Sequence, residues 1–579
     1  MSFDPTIVPF SHAGAWSALS ARRESEASVL WLRCLAGRRM WARDGVFRIA
    51  AVGHGGILPG GEIQAEPGLL TQPCGEATLE ATWDGPDQLR LRVRGGGLRL
   101  TNAAPFDGSA LAFPCGAGSW RLQMGGMPHF GVTVLHGVGH QTGPRIRVNH
   151  MDESRVNDQT IQMILEIDPV DGIAEIVIEN HLTSWLPRND HPAFADCVEA
   201  TRSSWAAWRD GHAEVAPAWS AARDLASYLS WSCQVAPRGQ LRHWATLSSK
   251  GHMHAVWSWD NAFFAAAMAR HSPDLAWEHL EAWFDHLDPH GALPNLITDM
   301  DEMWGFACPQ LFGWAVRELI ARAPAAVTPA RLTVAYDALA AMTNWFTRFR
   351  TSSDLPEYHH CNDSGQDNAS CFDMGMPVHS PDLCAYLILQ MDVLADLAKR
   401  LGRPADVGLW ASRADALLAA TIERLWDGER FLVRRVEDGL ANPTSRSALT
   451  FIPLVLGSRL PQAVRDAMIA ELRQPGGQLG PHGLMSEHAD SPHYVADGYW
   501  RGPVWSPPTL LVSTGLAELG EIDLARAVAG RWAECCVQHG FAENFNALTG
   551  APQRDRAMPW ASAIWLLLVE AGLAVPGDS

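Results

Sequence analysis

Hydrophobic and polar positions alternate with two different periods along this chain. Up to about residue 190 the period is two. Leu89-Arg-Leu-Arg-Val-Arg-Gly95 alternates apolar and charged side chains, and Gly95-Gly-Gly97 breaks the run before Leu98-Arg-Leu-Thr101. Two alternating runs around a glycine turn predict a β-hairpin. Ile161–Ile167 and Ala174–Glu179 repeat the pattern on either side of Asp168-Pro-Val-Asp-Gly172, which predicts a second pair. Short strands joined by glycine-rich turns predict an N-terminal β-sandwich domain over residues 1–195.

Beyond residue 215 the period lengthens to that of an α-helix. One helix is well marked. Ser380 and Pro381 suit its first positions, Leu383, Leu387, Met391, Leu394 and Leu397 recur along one face, and Gly402 ends it. A second helix is predicted over about 405–425, before Trp426-Asp-Gly428. About a dozen such helices fall between residues 218 and 575, most of them paired through short connections. Helices paired in this way can close into a double ring with a single funnel where the loops gather. The fold class is therefore mainly α, with a helical toroid over 218–579 and a linker at 196–217. Trp205, Trp208 and the nearby Trp219 imply that the linker packs on something.

With 579 residues the chain is too long for one ordinary domain. Its 47% hydrophobic and 19% charged composition is that of a globular protein with a large core. A net charge of −19 argues against nucleic acid or an anionic membrane as partner. No run of 18 apolar residues suggests a membrane span. Eleven cysteines without CxxC spacing, and an N-terminus without a signal-peptide pattern, point to reduced thiols and a cytoplasmic setting. The 25 tryptophans outnumber the 6 tyrosines. Most suit a core; the remainder suit a cleft in which a flat ring meets a sugar face.

Chemistry-bearing residues concentrate at junctions between loops and helices. In His252-Met-His-Ala-Val-Trp-Ser-Trp-Asp260, Trp257, Trp259 and Asp260 precede an apolar helix, where Asp260 can cap the helix or accept sugar hydroxyls. His252 and His254 lack further ligands at metal spacing, so no metal and no cofactor is expected. Asn295 and Gln310 bring side-chain amides to two further junctions, where they serve hydroxyls or turns. The polar loop Asn362-Asp-Ser-Gly-Gln-Asp-Asn368 holds two acids, Asp363 and Asp367. Arg501, between Trp500 and Trp505, can orient a substrate, hold a carboxylate or form a structural ion pair. Glu543 lies between Phe541 and Phe545, and a lone acid in apolar company needs a reason. Walker A, HExxH and nucleophile-elbow motifs are absent, and Pro144 denies Gly137–Gly143 the helix that a dinucleotide loop requires.

Taken in order, these segments resemble the trehalase-like clan of glycoside hydrolases, above all family 63, with the family 37 trehalases as relatives. The resemblance covers about residues 220–575. Trp259-Asp260 looks like the family's sugar-binding Trp-Asp, and Pro294-Asn295 looks like its Pro-Asn. Pro309-Gln310 is similar to its Gln-Pro with the order reversed. Ser364-Gly365-Gln366-Asp367, Arg501-Gly-Pro-Val-Trp505 and Glu543-Asn-Phe545 are similar to its Ser-Gly-x-Asp, Arg-Gly-Pro-x-Trp and Glu-x-Tyr. Phe545 stands where the family has Tyr, and Gln366 where it has a more apolar residue.

The resemblance implies an (α/α)6 toroid behind a β-sandwich and inversion at an α-linked glycoside. Asp367 becomes the general acid and Glu543 the general base. Trp257, Trp259, Asp260, Asn295, Gln310, Gly365, Arg501 and Trp505 become the sugar-binding set. The expected substrate is a small carbohydrate with a terminal α-linked sugar, glucose first and mannose second. Sugar epimerases on an (α/α) barrel, and a catalytically dead sugar-binding protein, are the readings from other classes.

Overall fold

The computed structural model describes residues 1–24, 27–37, 45–102, 111–116, 118–123, 129–142 and 163–576. They divide into two compact units: residues 1–210 with 227–255 and 298–301, and residues 211–226 with 256–297 and 302–579.

The first unit is built on two antiparallel sheets. One runs in the order Ser17–Glu24, Ala27–Cys34, Phe47–Gly53, Gly97–Asn102, Ile164–Asp168, Val138–Thr142. The other has eight strands, with Ile173–His181, Gln88–Arg94 and Ala77–Trp83 side by side near its centre. Period-two alternation turns one face of each strand inward. Leu89, Leu91 and Val93 are buried from one sheet, Leu98, Leu100, Leu165 and Ile167 from the other.

Neither expected hairpin forms. Gln88–Arg94 pairs with Ala77–Trp83 and Ile173–His181, whereas Gly97–Asn102 pairs with Phe47–Gly53 and Ile164–Asp168. The glycine turn therefore carries the chain from one sheet to the other. The turn Asp168–Gly172 does the same, since the strand ending at Asp168 and the strand starting at Ile173 lie in different sheets. Residues 161 and 162 of the second expected pair lie outside the described residues. A sheet-to-sheet corner buries the apolar faces of both runs in one core, and it needs the same tight glycine turn that a hairpin does.

The expected linker also differs. Phe194–Asp210 forms a helix, α1, that buries Phe194, Cys197, Val198, Thr201 and Trp205. The Thr201 hydroxyl donates to the Trp83 carbonyl at 3.1 Å, so α1 belongs to the sheet unit. Its amphipathic face is what the linker tryptophans were reporting.

The second unit is the (α/α)6 toroid. Six inner segments touch in a closed circle: α3 (Ser258–Met268), α5 (Phe312–Arg322), α7 (Pro381–Arg400), Ala448–Arg459, α10 (Ser506–Glu518) and α12 (Pro559–Glu570). The chain reaches them alternately with outer helices: α4 (Pro273–Phe284), α6 (Pro329–Phe349), α8 (Pro404–Leu425), α9 (Gln462–Arg473) and α11 (Ile522–His539). Trp219, just before α2 (Ser220–Ser232), packs on Trp565 of α12 with ring centroids 5.5 Å apart. Inner segments must be apolar all round, and every residue of α3 is buried. The helix expected from Ser380 to Gly402 is α7, but the Ser380 hydroxyl donates to the Asp382 carboxylate and does not cap the backbone. Ala448–Arg459 is a 3-10 stretch containing Pro453 and broken at Gly457, whose φ is 52°.

Inner segments meet closely enough to need a glycine. A Cβ on Gly515 of α10 would lie 2.2 Å from the Leu454 carbonyl oxygen. Gly530 of α11 has open space beside it. Gly515→Ala is therefore expected to cost about 2 kcal/mol or more through overpacking, and Gly530→Ala to add up to about 1 kcal/mol through helix propensity. Thermal denaturation of the two variants should show shifts of opposite sign.

Candidate active site

The candidate residues of the helical unit lie at the starts of inner helices and in the loops leading to them. Trp257 immediately precedes α3, and Trp259 and Asp260 stand in its first turn, where the helix dipole favours a negative charge. Trp257, not Asp260, holds the cap position. Across a small sheet Trp257 pairs with Leu296, and Ser258 N–H donates to the Asn295 carbonyl at 3.3 Å. The Asn295 amide points at the Cys308 sulfur, 3.7 Å away. Gln310 donates to the Cys308 carbonyl at 3.0 Å, and its own buried amide oxygen has no protein partner.

The two loop acids that the sequence left side by side separate in role. Asp363 is buried and accepts four hydrogen bonds, from Ala307 N–H (2.7 Å), His359 N–H (2.8 Å), His360 N–H (3.0 Å) and Arg350 (3.0 Å). It is an anchor with no capacity left for substrate. Gly365 follows with φ 70°, and a Cβ there would sit 2.5 Å from the Trp259 ring. That close approach explains why a glycine precedes the catalytic candidate.

Asp367 comes next. Burial pushes its carboxyl up from 3.8 to about 6, against the opposing pull of its own backbone N–H, His360 and the Tyr499 hydroxyl. Asn368 then ties this loop to the turn that carries Tyr499. Its amide donates to the Gly498 carbonyl at 3.0 Å and accepts from Trp500 N–H at 2.9 Å. Arg501 adds a second tie, donating to the Asn368 carbonyl at 2.8 Å and pairing with Asp373. Of the three readings open for Arg501, the ion pair is the one the structure shows.

Tyr499 sits between these ties with φ 64°, a left-handed backbone that a bulky residue adopts only under constraint. The Trp505 indole donates to its carbonyl at 2.9 Å. Burial comes first in holding the Tyr499 phenol well above its ordinary value, and then the charges of Asp367, Glu543 and Asp260. One side chain therefore lies within electrostatic reach of all three acids, which brings Asp260, Asp367 and Glu543 to a single place.

Glu543 is 7% exposed. Burial raises its carboxyl from 4.5 to about 7, and the Asp555 and Asp260 charges add to the rise against Arg554. Asp555 N–H lies 3.4 Å from the Glu543 carboxylate. Tryptophans wall the same neighbourhood. Trp500 and Trp505 stack at 4.0 Å and 9°, and Trp560 meets Trp259 and Trp505 edge-on at 5.7 and 5.9 Å. The buried indole N–H groups of Trp259, Trp500 and Trp560 have no protein acceptor.

The motifs did not single out Tyr499, Trp560 or Asp555. Composition gave one clue, since a tyrosine among so many tryptophans is a choice; the left-handed turn left no sequence signal. Among the described residues no group of three or more His, Cys, Asp or Glu is arranged to hold a metal ion. His254 is buried in the sheet unit, where burial lowers it to about 3. No helix among the described residues is long and apolar enough to cross a membrane.

Two outcomes follow from these environments. Tyr499→Phe removes the hydroxyl that stabilises the Asp367 carboxylate, so the Asp367 titration followed by carboxyl carbon NMR should move to higher pH. Glu543 takes up a proton more readily folded than unfolded, so its contribution to stability is lost as pH rises through about 7. Glu543→Gln should melt above the parent at pH 8, with the difference closing below about pH 4.5.

Comparison with known proteins fits this geometry. Residues 253–561 match the model of the mannosylglycerate hydrolase MGH1-like glycoside hydrolase domain. A mannosylglycerate hydrolase of Thermus thermophilus is 23% identical over 55% of this chain and 95% of its own length. Its counterpart in Rubrobacter radiotolerans is 25% identical over 55% of this chain and 91% of its own. Among solved structures, a GH63 mannosylglycerate hydrolase of Thermus thermophilus in complex with glucose superposes with a TM-score of 0.52, at 21% identity, over 61% of this chain and all of that one. A bacterial glucoamylase bound to acarbose shares the fold over 98% of this chain and 93% of that one, at a TM-score of 0.60 and 10% identity. With more than half of its length matched to the family model, the chain belongs to the MGH1-like glycoside hydrolases.

Proposed function

We propose that this glycoside hydrolase removes a terminal α-linked sugar from a small glycoside with inversion, using Asp367 as general acid and Glu543 as general base. One observation carries the reading. Asp367 and Glu543 flank the same buried tyrosine, in a tryptophan-walled site, with both carboxyls raised toward neutrality by burial. Asp367, protonated, donates to the glycosidic oxygen, and the leaving group departs with that proton. Glu543, ionised, draws a proton from a water that attacks the opposite face of an oxocarbenium-like centre. The carboxyls then stand roughly 6.5–9.5 Å apart, with room for that water. Asp260 and the amides of Asn295 and Gln310 suit sugar hydroxyls, while Trp257, Trp259 and Trp505 supply apolar faces.

The sugar is proposed to be glucose, with mannose as the second reading. Relatives named for mannosylglycerate and, at 28% identity over 33% of this chain, glucosylglycerate hydrolysis keep both hexoses in view. A sugar epimerase is set aside by membership of a hydrolase family. Eleven free cysteines suit a reducing compartment, so a cytoplasmic setting is part of the proposal.

The protonation order has a consequence. With Asp367 raised to about 6 and Glu543 further, to about 7, the form with Asp367 protonated and Glu543 ionised is a minority. The rate should trace a bell with limbs near 6 and 7. Proton NMR of the first-released sugar tests inversion directly: an α-glycoside should yield the β-anomer, and an initial α-anomer would refute the roles. Asp367→Asn and Glu543→Gln should each lower kcat by about a thousandfold or more with the fold intact. Full activity in either variant would remove that residue from the mechanism.

A further inference from the structure

Among the described residues Trp304 is the one exposed tryptophan, at 46%. A single apolar side chain in water needs no explanation by itself. Trp304 is different because its ring is fixed. The indole N–H donates to one Glu302 carboxylate oxygen at 2.9 Å, and the other oxygen meets His286 Nδ1 at 2.5 Å. His286 is buried at the end of α4. A buried histidine thus holds a carboxylate that holds the indole edge, leaving the flat face turned to solvent.

The segment bearing Trp304 runs between two parts of the candidate site. Glu302–Met303 is the outer strand beside Leu296–Ile297, which pairs with Val256–Trp257 and so leads into Trp259 and Asp260. Just past Trp304, the Phe306 ring meets His360 at a tilt, with centroids 4.7 Å apart, and the His360 charge is felt by Asp367. Ala307 N–H donates to Asp363. Trp304 is therefore exposed on a segment joined to both parts, whereas Trp259, Trp500, Trp505 and Trp560 are buried.

We infer that Trp304 is a stacking platform for a sugar ring on the leaving-group side of the scissile bond, so that the substrate carries a pyranose aglycone. The inference rests on the proposed roles of Asp367 and Glu543. On those roles the terminal sugar meets the buried tryptophans, so the group met by an exposed residue beside them is the one that departs. With its N–H already engaged, the indole offers only an apolar face. That face suits the C–H surface of a ring and has nothing to hold a three-carbon acid. Glu302, at the indole edge, has both oxygens engaged and supplies no cation to hold a carboxylate aglycone.

The test compares Trp304→Ala and Trp304→Phe with the parent on probes sharing a glycone: α-glucosyl and α-mannosyl fluoride, the corresponding α-linked disaccharides, and the glycosylglycerates. Trp304→Ala should raise KM for the disaccharide about tenfold with kcat little changed and leave the fluoride unaffected, while Trp304→Phe retains most of the affinity. An unchanged disaccharide KM, or equal losses on disaccharide and fluoride, would overturn the platform. So would a parent that prefers a glycosylglycerate over every disaccharide. If the parent cleaves none of these probes, the reading of Asp367 and Glu543 fails first, and calorimetric binding of the disaccharides decides the platform. Tenfold weaker binding to Asp367→Asn/Trp304→Ala than to Asp367→Asn supports it; equal binding, or none to either, overturns it.

Discussion

Asn368 spans two loops with one amide group, and the candidate site depends on that span. Its oxygen accepts from Trp500 and its nitrogen donates to Gly498, so the residue between them, Tyr499, is held from both sides. The following Arg501 grips the Asn368 carbonyl and Asp373 from the opposite strand of the connection. These contacts supply what a left-handed tyrosine requires, namely surroundings that overdetermine its backbone. They also tie the loop of Asp367 to the turn of Tyr499, whose phenol feels the charges of Asp367, Glu543 and Asp260. A hydrogen-bonded clamp of modest individual strength thereby sets the geometry on which the proposed acid and base chemistry depends.

The clamp works because the loops hang from a rigid frame. A ring of inner segments that touch along their length, closely enough at Gly515 to exclude a methyl group, cannot shift one helix without its neighbours. Loops entering such a frame inherit its stiffness at both ends. Asp363 extends the stiffness one layer further by drawing four donors from three segments onto a single carboxylate. The cost falls on stability. Asp367 and Glu543 are kept in surroundings that disfavour their charge, so the site is least comfortable when both are ionised.

How much of this was legible in the sequence differs by level. The helical ring was legible because helix-period runs recur in pairs joined by short connections, and the limits of α7 because Pro381 and Gly402 mark chain entry and exit. The glycine turns at 95–97 and 168–172 were misread because a hairpin and a corner between sheets need the same local backbone; only the partner strands distinguish them, and those are distant in sequence. The helical character of 194–210 was hidden by a search for a connector. Asp363 and Asp367 could not be ranked from their spacing, since the donors that saturate Asp363 come from residues 307, 350, 359 and 360. Tyr499 was invisible for a related reason: its importance lies in a dihedral angle and in charges brought from three separate segments.

The contact between Gly365 and the Trp259 ring bears on how such a site can diverge. No side chain fits at 365 without displacing the ring that walls the pocket. Position 365 is therefore closed to variation, and so is the pocket wall that leans on it. Change in specificity must enter elsewhere, at positions whose neighbours tolerate a new shape. Trp304, exposed on its segment, is such a position, whereas Gln366 and Phe545 are buried and share the constraint. A duplicated copy of the gene would acquire a new substrate by drifting at exposed positions of that kind while the glycine held the rest of the machinery in register.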